Sequence, residues 1–172
     1  MVFKKISLPL LIIPFIWIIP FQIKQSFAVI PYYVNPSKNE LEKESLSIAR
    51  SAYQMLYFGQ IKKALNLAKL SITLNDNNEK LWAILAETQI ANNLNKEALV
   101  SLQKAKKINP QMSELYFAES SIYSSEKRHE KAKEALKKGL QIQPQNPTAL
   151  FQLGNIYLME LKYNKAIKIF NE

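Results

Sequence analysis

Four alanines, Ala64, Ala98, Ala132 and Ala166, follow one another at intervals of 34 residues. A strict interval of that length marks a chain that builds one small supersecondary unit and stacks copies of it. Such a unit leaves an apolar face that only a neighbouring copy covers. With copies taken as 45–78, 79–112, 113–146 and a shortened 147–172, other columns keep the same register. Ala52, Ala86, Ser120 and Gly154 are small, and Ile48, Trp82, Tyr116 and Leu150 are bulky. Ala68, Leu102, Leu136 and Phe170 form a further column, as do the small Ser71, Ala105 and Gly139. Pro110 and Pro144 end the second and third copies, where Asp76 stands in the first.

These columns predict two antiparallel helices in each copy. Small residues let the helix backbones approach, bulky ones fill the holes between turns, and proline stops the second helix because it lacks the N–H a helix interior needs. The composition agrees. Hydrophobic residues make up 48% of the chain, too many for disorder, while three glycines and few Val or Thr runs disfavour strands. A length of 172 residues holds one short solenoid and little else. The absence of cysteine removes disulfides, thiolate metal sites and cysteine nucleophiles.

The stretches Trp82-Ala83-Ile84-Leu85-Ala86 and Leu153-Gly154-Asn155-Ile156-Tyr157 resemble the first-helix signature of the tetratricopeptide repeat, and Lys165-Ala166-Ile167-Lys168-Ile169-Phe170 resembles the second. The resemblance covers 45–172 and implies an all-α solenoid of helix-turn-helix units. Ser51 and Glu119 stand in a usually apolar column, and Gln89 stands where Met55, Tyr123 and Tyr157 do, which puts local packing there in question. Gly59 falls in the first inter-helix turn, Gly139 and Gly154 in close-packing columns.

Ahead of the array, Ile6–Ile23 is an uncharged run of eighteen residues between Lys5 and Lys24. As a helix it would reach roughly 27 Å against a hydrocarbon core of ~30 Å. Residues 1–28 are therefore expected to be a membrane anchor, interrupted by Pro9, Pro14 and Pro20. Ser26-Phe27-Ala28 is similar to a cleavage site, so a secretory signal is the competing reading. Residues 29–44 read as a linker and an opening helix, with Ser37 and Glu40 spaced as a capping box. Lysines on both sides of the run leave its orientation open.

No metal-ligand, phosphate-loop or nucleophile motif is present, and the single histidine, His129, is expected in a solvated turn. No enzyme, cofactor or metal is read from this chain. The net charge of +9 gathers in the expected second helices, through Lys62, Lys63, Lys104, Lys106, Lys107, Lys131, Lys133, Lys137, Lys138, Lys165 and Lys168. In the tetratricopeptide resemblance these helices form the outer wall, either as a solvated face or as a contact for anionic headgroups. The same resemblance lines a concave groove with first helices and gives Tyr53, Ile90, Phe117, Phe151, Asn155 and Leu158 as candidate protein-binding residues, with Leu56, Ala83, Glu87 and Ser121 between them. Packing between copies is the alternative role for each. Ala49 and Tyr53 replace the Lys and Asn with which the family's chaperone-tail binders grip a carboxylate, so a mostly apolar helix or peptide is the expected occupant.

An apolar leader followed by about three and a half such repeats resembles a small membrane-anchored family of plastids and cyanobacteria implicated in photosystem I assembly. That resemblance implies a scaffold on the stromal side of the thylakoid membrane, with photosystem I subunits or assembly intermediates as partners. A bacterial envelope scaffold is the second reading and an RNA-binding plastid factor the third. The anchor predicts that the protein stays in the pellet after alkaline carbonate extraction with its first residues intact, whereas a soluble species beginning at Val29 would identify a cleaved signal.

Overall fold

The computed structural model describes residues 36–171. Ile6–Ile23, the expected anchor, lies outside the described residues, and among those described no helix is long and apolar enough to cross a membrane. The described residues form eight helices and no strand: α1 (Lys38–Tyr57), α2 (Ile61–Leu74), α3 (Glu79–Ala91), α4 (Asn95–Ile108), α5 (Ser113–Ser125), α6 (His129–Ile142), α7 (Pro147–Met159) and α8 (Tyr163–Phe170). The starts of α2, α4, α6 and α8 repeat at 34 residues, as do those of α3, α5 and α7. From Glu40 onward the chain is one compact unit.

The small columns sit where helices meet. Ala64, Ala98, Ala132 and Ala166 are wholly buried, as are Ala52, Ala86 and Ser120. A Cβ built at Gly139 would run into the ring of Phe117, and one at Gly154 into the ring of Phe170, so in both copies a large ring occupies the space a side chain would need. The interior divides in two. Ala52, Ala68, Trp82, Leu85, Leu102 and Leu115 belong to one core, and Ala132, Leu136, Leu153, Ile156 and Tyr157 to the other. Helix α5 serves both, turning Leu115 and Ile122 to the first and Phe117 and Tyr123 to the second.

Each hairpin turn is the same left-handed cap. Gly59, Asn93, Lys127 and Leu161 have φ of 70°, 59°, 58° and 58°. The amide of each donates to the carbonyl three residues back, at 2.9–3.0 Å, and the next amide reaches five residues back, at 2.8–2.9 Å. This is the paired hydrogen bonding of a Schellman motif, which satisfies carbonyls the ending helix leaves bare. Glycine takes that backbone conformation freely, but a residue with a Cβ pays about 1–2 kcal/mol for it. Leu161 therefore sits in a strained position with its side chain largely exposed.

Between copies the joints are polar. The indole N–H of Trp82 donates to the Asp76 carbonyl at 2.7 Å, and the Tyr116 hydroxyl donates to the Pro110 carbonyl at 3.0 Å, one repeat further on. Asn78 caps α3 by accepting from the Lys80 amide, and Asn146 caps α7 by accepting from the Ala149 amide. Pro147 opens α7 at a position where its missing N–H is not needed.

Of the columns that break the apolar pattern, Gln89 and Glu119 are resolved in pairs, whereas Ser51 donates to the Ser47 carbonyl of its own helix at 3.2 Å. Ser101 donates to the Gln89 side chain at 2.7 Å inside the second hairpin. Glu119 accepts from Lys106 of the preceding copy at 2.7 Å and from the Tyr123 hydroxyl. Lys133 stands where Leu65, Leu99 and Ile167 stand elsewhere, and it is almost completely buried. Its ammonium bonds Glu130 at 2.8 Å and Glu160 at 2.6 Å. Burial opposes the charge of Lys133, but the two glutamates outweigh it and raise the pKa. Glu160 in turn, bonded by Lys133 and Lys162, is lowered to about 2.

Two substitutions test this packing from opposite sides. Ala98→Leu should destabilise by ~1–3 kcal/mol, because the added atoms have no space between the helices. Leu161→Gly should stabilise by ~1 kcal/mol by releasing the strained turn. Thermal melts followed by circular dichroism check both, and a parental midpoint for Ala98→Leu would contradict the assigned register.

Candidate protein-binding groove

Each second helix is followed by a first helix packed against it, α2 by α3, α4 by α5 and α6 by α7. Helix α3 also touches α5 directly, while no comparable contact among the described residues joins two second helices. At that contact, between α3 and α5, first helices lie on the inner side of the stack.

The candidate groove residues fall into two groups on that inner wall. Tyr53, Phe151 and Leu158 are 54%, 60% and 40% exposed and available to a partner. Ile90 and Phe117 are half-buried, Ile90 against the first core and Phe117 against the second, where its ring covers Gly139. Asn155 is half-buried on α7. Phe117 and Phe151 hold equivalent places one repeat apart in sequence, yet their surroundings differ. The Phe151 ring stays exposed and lies 6.1 Å from that of Phe170, tilted by 45°. Together with Gln145, Pro147, Leu150 and Ile169 these two rings line a cavity of about 430 Å3.

Glu87 lies on the same wall, on α3. Its side chain is accessible to solvent, yet burial raises its carboxyl above the usual 4.5. Accessible but poorly hydrated is the condition of a side chain on a concave surface, where neighbouring walls displace water without covering the group. None of the described residues pairs with it, since neither an ion pair nor a hydrogen bond joins Glu87 to them.

His129 is the first residue of α6 rather than a turn residue, and it is half-buried with Nδ1 lacking a hydrogen-bond partner. It fills the place that Ile61, Asn95 and Tyr163 fill at the starts of the other second helices, which is why the helix reaches one residue further than its polarity implies. Among the described residues no group of three acidic or histidine side chains could hold a metal ion. Leu70, Val100 and Ile108 are exposed on α2 and α4, as are Tyr163 and Ile167 on α8, and the lysine pattern gives no sign of them. Only the helical register relative to the buried alanines reveals that they point away from the core.

Similarity to known proteins bears on the fold. A sequence profile described as TPR repeat matches residues 121–160. No curated protein matches the chain in sequence. Among solved structures, MamA is similar at 20% identity and a TM-score of 0.68, over 78% of this chain and 82% of that one. The TPR domain of Arabidopsis OM64 is similar at 20% identity and a TM-score of 0.64, over 67% and 96%. The first TPR of Spaghetti (RPAP3), bound to an HSP90 peptide, is similar at 16% identity and a TM-score of 0.66, over 70% and 95%. Residues 121–160 thus match the TPR repeat in sequence, and the chain shares the fold of these solenoids.

A raised carboxyl pKa means that the folded state holds its proton more tightly than the unfolded one. The resulting stability is full below about 4.5 and is lost as pH rises through the folded value. Glu87→Gln is therefore expected to melt higher than the parent at pH 7, with the difference closing below pH ~4. Parallel melts across that range check it.

Proposed function

We propose that this chain is a non-enzymatic scaffold that helps photosystem I assemble or stay assembled at the thylakoid membrane, holding a helical or apolar segment of a partner subunit in its concave groove. The observation that carries the binding half of this reading is the inner wall itself, where Tyr53, Phe151 and Leu158 stand exposed on first helices. Large apolar side chains on a preformed surface are what an interface anchors on, since they bury much area while losing little freedom. A solenoid of the same fold is bound to a peptide in the RPAP3 complex, which supports use of the fold for holding chain segments. The thylakoid half rests on the sequence resemblance, with its apolar leader and about three and a half repeats.

A bacterial envelope scaffold is the second reading, favoured by Ser26-Phe27-Ala28, which is similar to an export cleavage site. Affinity purification of the tagged full chain from detergent-solubilised membranes, followed by mass spectrometry, separates the two. Photosystem I subunits or their intermediates support the first reading, and an envelope complex moves the assignment to the second. A Tyr53→Ala, Phe151→Ala chain should capture its partner at least tenfold less well with unchanged helicity, because both side chains are exposed. Parental occupancy in that variant would remove the groove from the mechanism. Phe117→Ala is the wrong probe for binding, since a ring packed against the core contributes up to roughly 1.5–3 kcal/mol to the fold itself.

A further inference from the structure

We propose that the outer wall, built by the second helices, is a docking surface for an anionic lipid bilayer, separate from the groove and independent of its partner. Charge in this array follows helix class. Helices α2, α4, α6 and α8 carry thirteen lysines against Glu97, Glu130 and Glu134, whereas α1, α3, α5 and α7 carry seven glutamates against Lys38, Lys43, Arg50 and Lys80. The outer wall is thus strongly cationic and the inner wall mildly anionic.

Lys106 and Lys133 are drawn into ion pairs with neighbouring copies. The other eleven lysines of the second helices are exposed. Lys62 and Lys69 are seven residues apart on α2, and Lys96 and Lys107 eleven apart on α4, spacings that put each pair on one side of its helix. Lys69, Lys96, Lys107 and Lys137 form no ion pair or hydrogen bond with the described residues, leaving their charge unneutralised.

Apolar side chains stand among these cations. Leu70 is 47% exposed beside Lys69, Val100 is 55% exposed one turn beyond Lys96, and Ile108 is exposed beside Lys107. Ammonium groups interleaved with aliphatic side chains match a lipid interface, where lysine meets the phosphate and the aliphatic group enters the acyl boundary. They match a nucleic acid poorly. Neither arginine lies on a second helix, and Arg128 is already tied to Glu126 and to the ring of Tyr123. Helices α2, α4 and α6 offer no Phe, Tyr or Trp on which a base could stack.

Each lysine near an anionic surface contributes about fivefold to partitioning. The test is flotation of the full chain with vesicles of phosphatidylcholine alone or with a third phosphatidylglycerol. Neutral vesicles measure whatever the apolar leader contributes. The anionic vesicles should recover more protein, and the increment should vanish at high salt. A chain with Lys69→Gln, Lys96→Gln, Lys107→Gln and Lys137→Gln should lose at least tenfold of the increment with unchanged helicity and unchanged recovery on neutral vesicles. Acetylation footprinting of the parent needs no variant and also reads out when neutral vesicles already retain the chain. The four lysines should be protected on anionic vesicles and open on neutral ones, while Lys80 reacts equally on both. Equal footprints on the two vesicles would overturn the proposal, as would protection by polyuridylate alone, which would give the wall to RNA.

Discussion

The array depends on one close approach, that of the two helices in the second, third and fourth copies near the buried alanine of the second helix. Ala64, Ala98, Ala132 and Ala166 are wholly buried because the facing helix leaves no room for a larger side chain. Wholly buried small residues stand on the first helices too, Ala52, Ala86 and Ser120, and Gly154 is covered by the ring of Phe170. Phe117 over Gly139 and Phe170 over Gly154 show the two ways this chain fills such places, once from the first helix and once from the second. A repeat whose backbone spacing is set by alanine tolerates wide variation elsewhere, since the surface positions play no part in setting it.

Apart from His129, whose buried Nδ1 has no partner, the polar side chains that break the apolar pattern enter the interior in company. Gln89 would be an orphan without Ser101, Glu119 without Lys106, and Lys133 without Glu130 and Glu160. Removing one partner of such a pair leaves a buried polar group bare, which costs more than the pair contributes. Glu119–Lys106 and Lys133–Glu160 each cross from one copy to the next, so they also fix which copies stack and in what register. Apolar contacts at the same columns in other copies fill space without that selectivity. Hence two of the breaks in the repeat pattern, Glu119 and Lys133, are joints of the third copy with its neighbours, while Gln89 is paired within the second.

Sequence made the fold legible because its strongest constraint, the alanine spacing, is periodic and chemically simple. The helices begin 34 residues apart, as the columns require. The left-handed turns were legible only at Gly59, since Asn93, Lys127 and Leu161 adopt the same φ without the residue that would announce it. The Trp82 and Tyr116 joints depend on a carbonyl six residues back, which no side-chain pattern displays. On the inner wall, the register correctly assigns residues to first helices but does not say how far each is covered. Phe117 and Phe151 share a column, yet one rests on Gly139 and the other stands open. Coverage depends on what packs against each ring, which the column itself does not display.

Separation of structural columns from surface columns lets the two walls diverge chemically. An outward residue on a second helix meets neither the alanine column nor the next copy, so lysine there disturbs nothing inside. An inward residue on a first helix faces a concave surface, where a charge is partly stripped of water even while exposed, as the raised carboxyl of Glu87 illustrates. In this array lysine gathers on the second helices, while Tyr53, Phe151 and Leu158 stand exposed on first ones. The two surfaces can then serve different partners at once, because no side chain is shared between them.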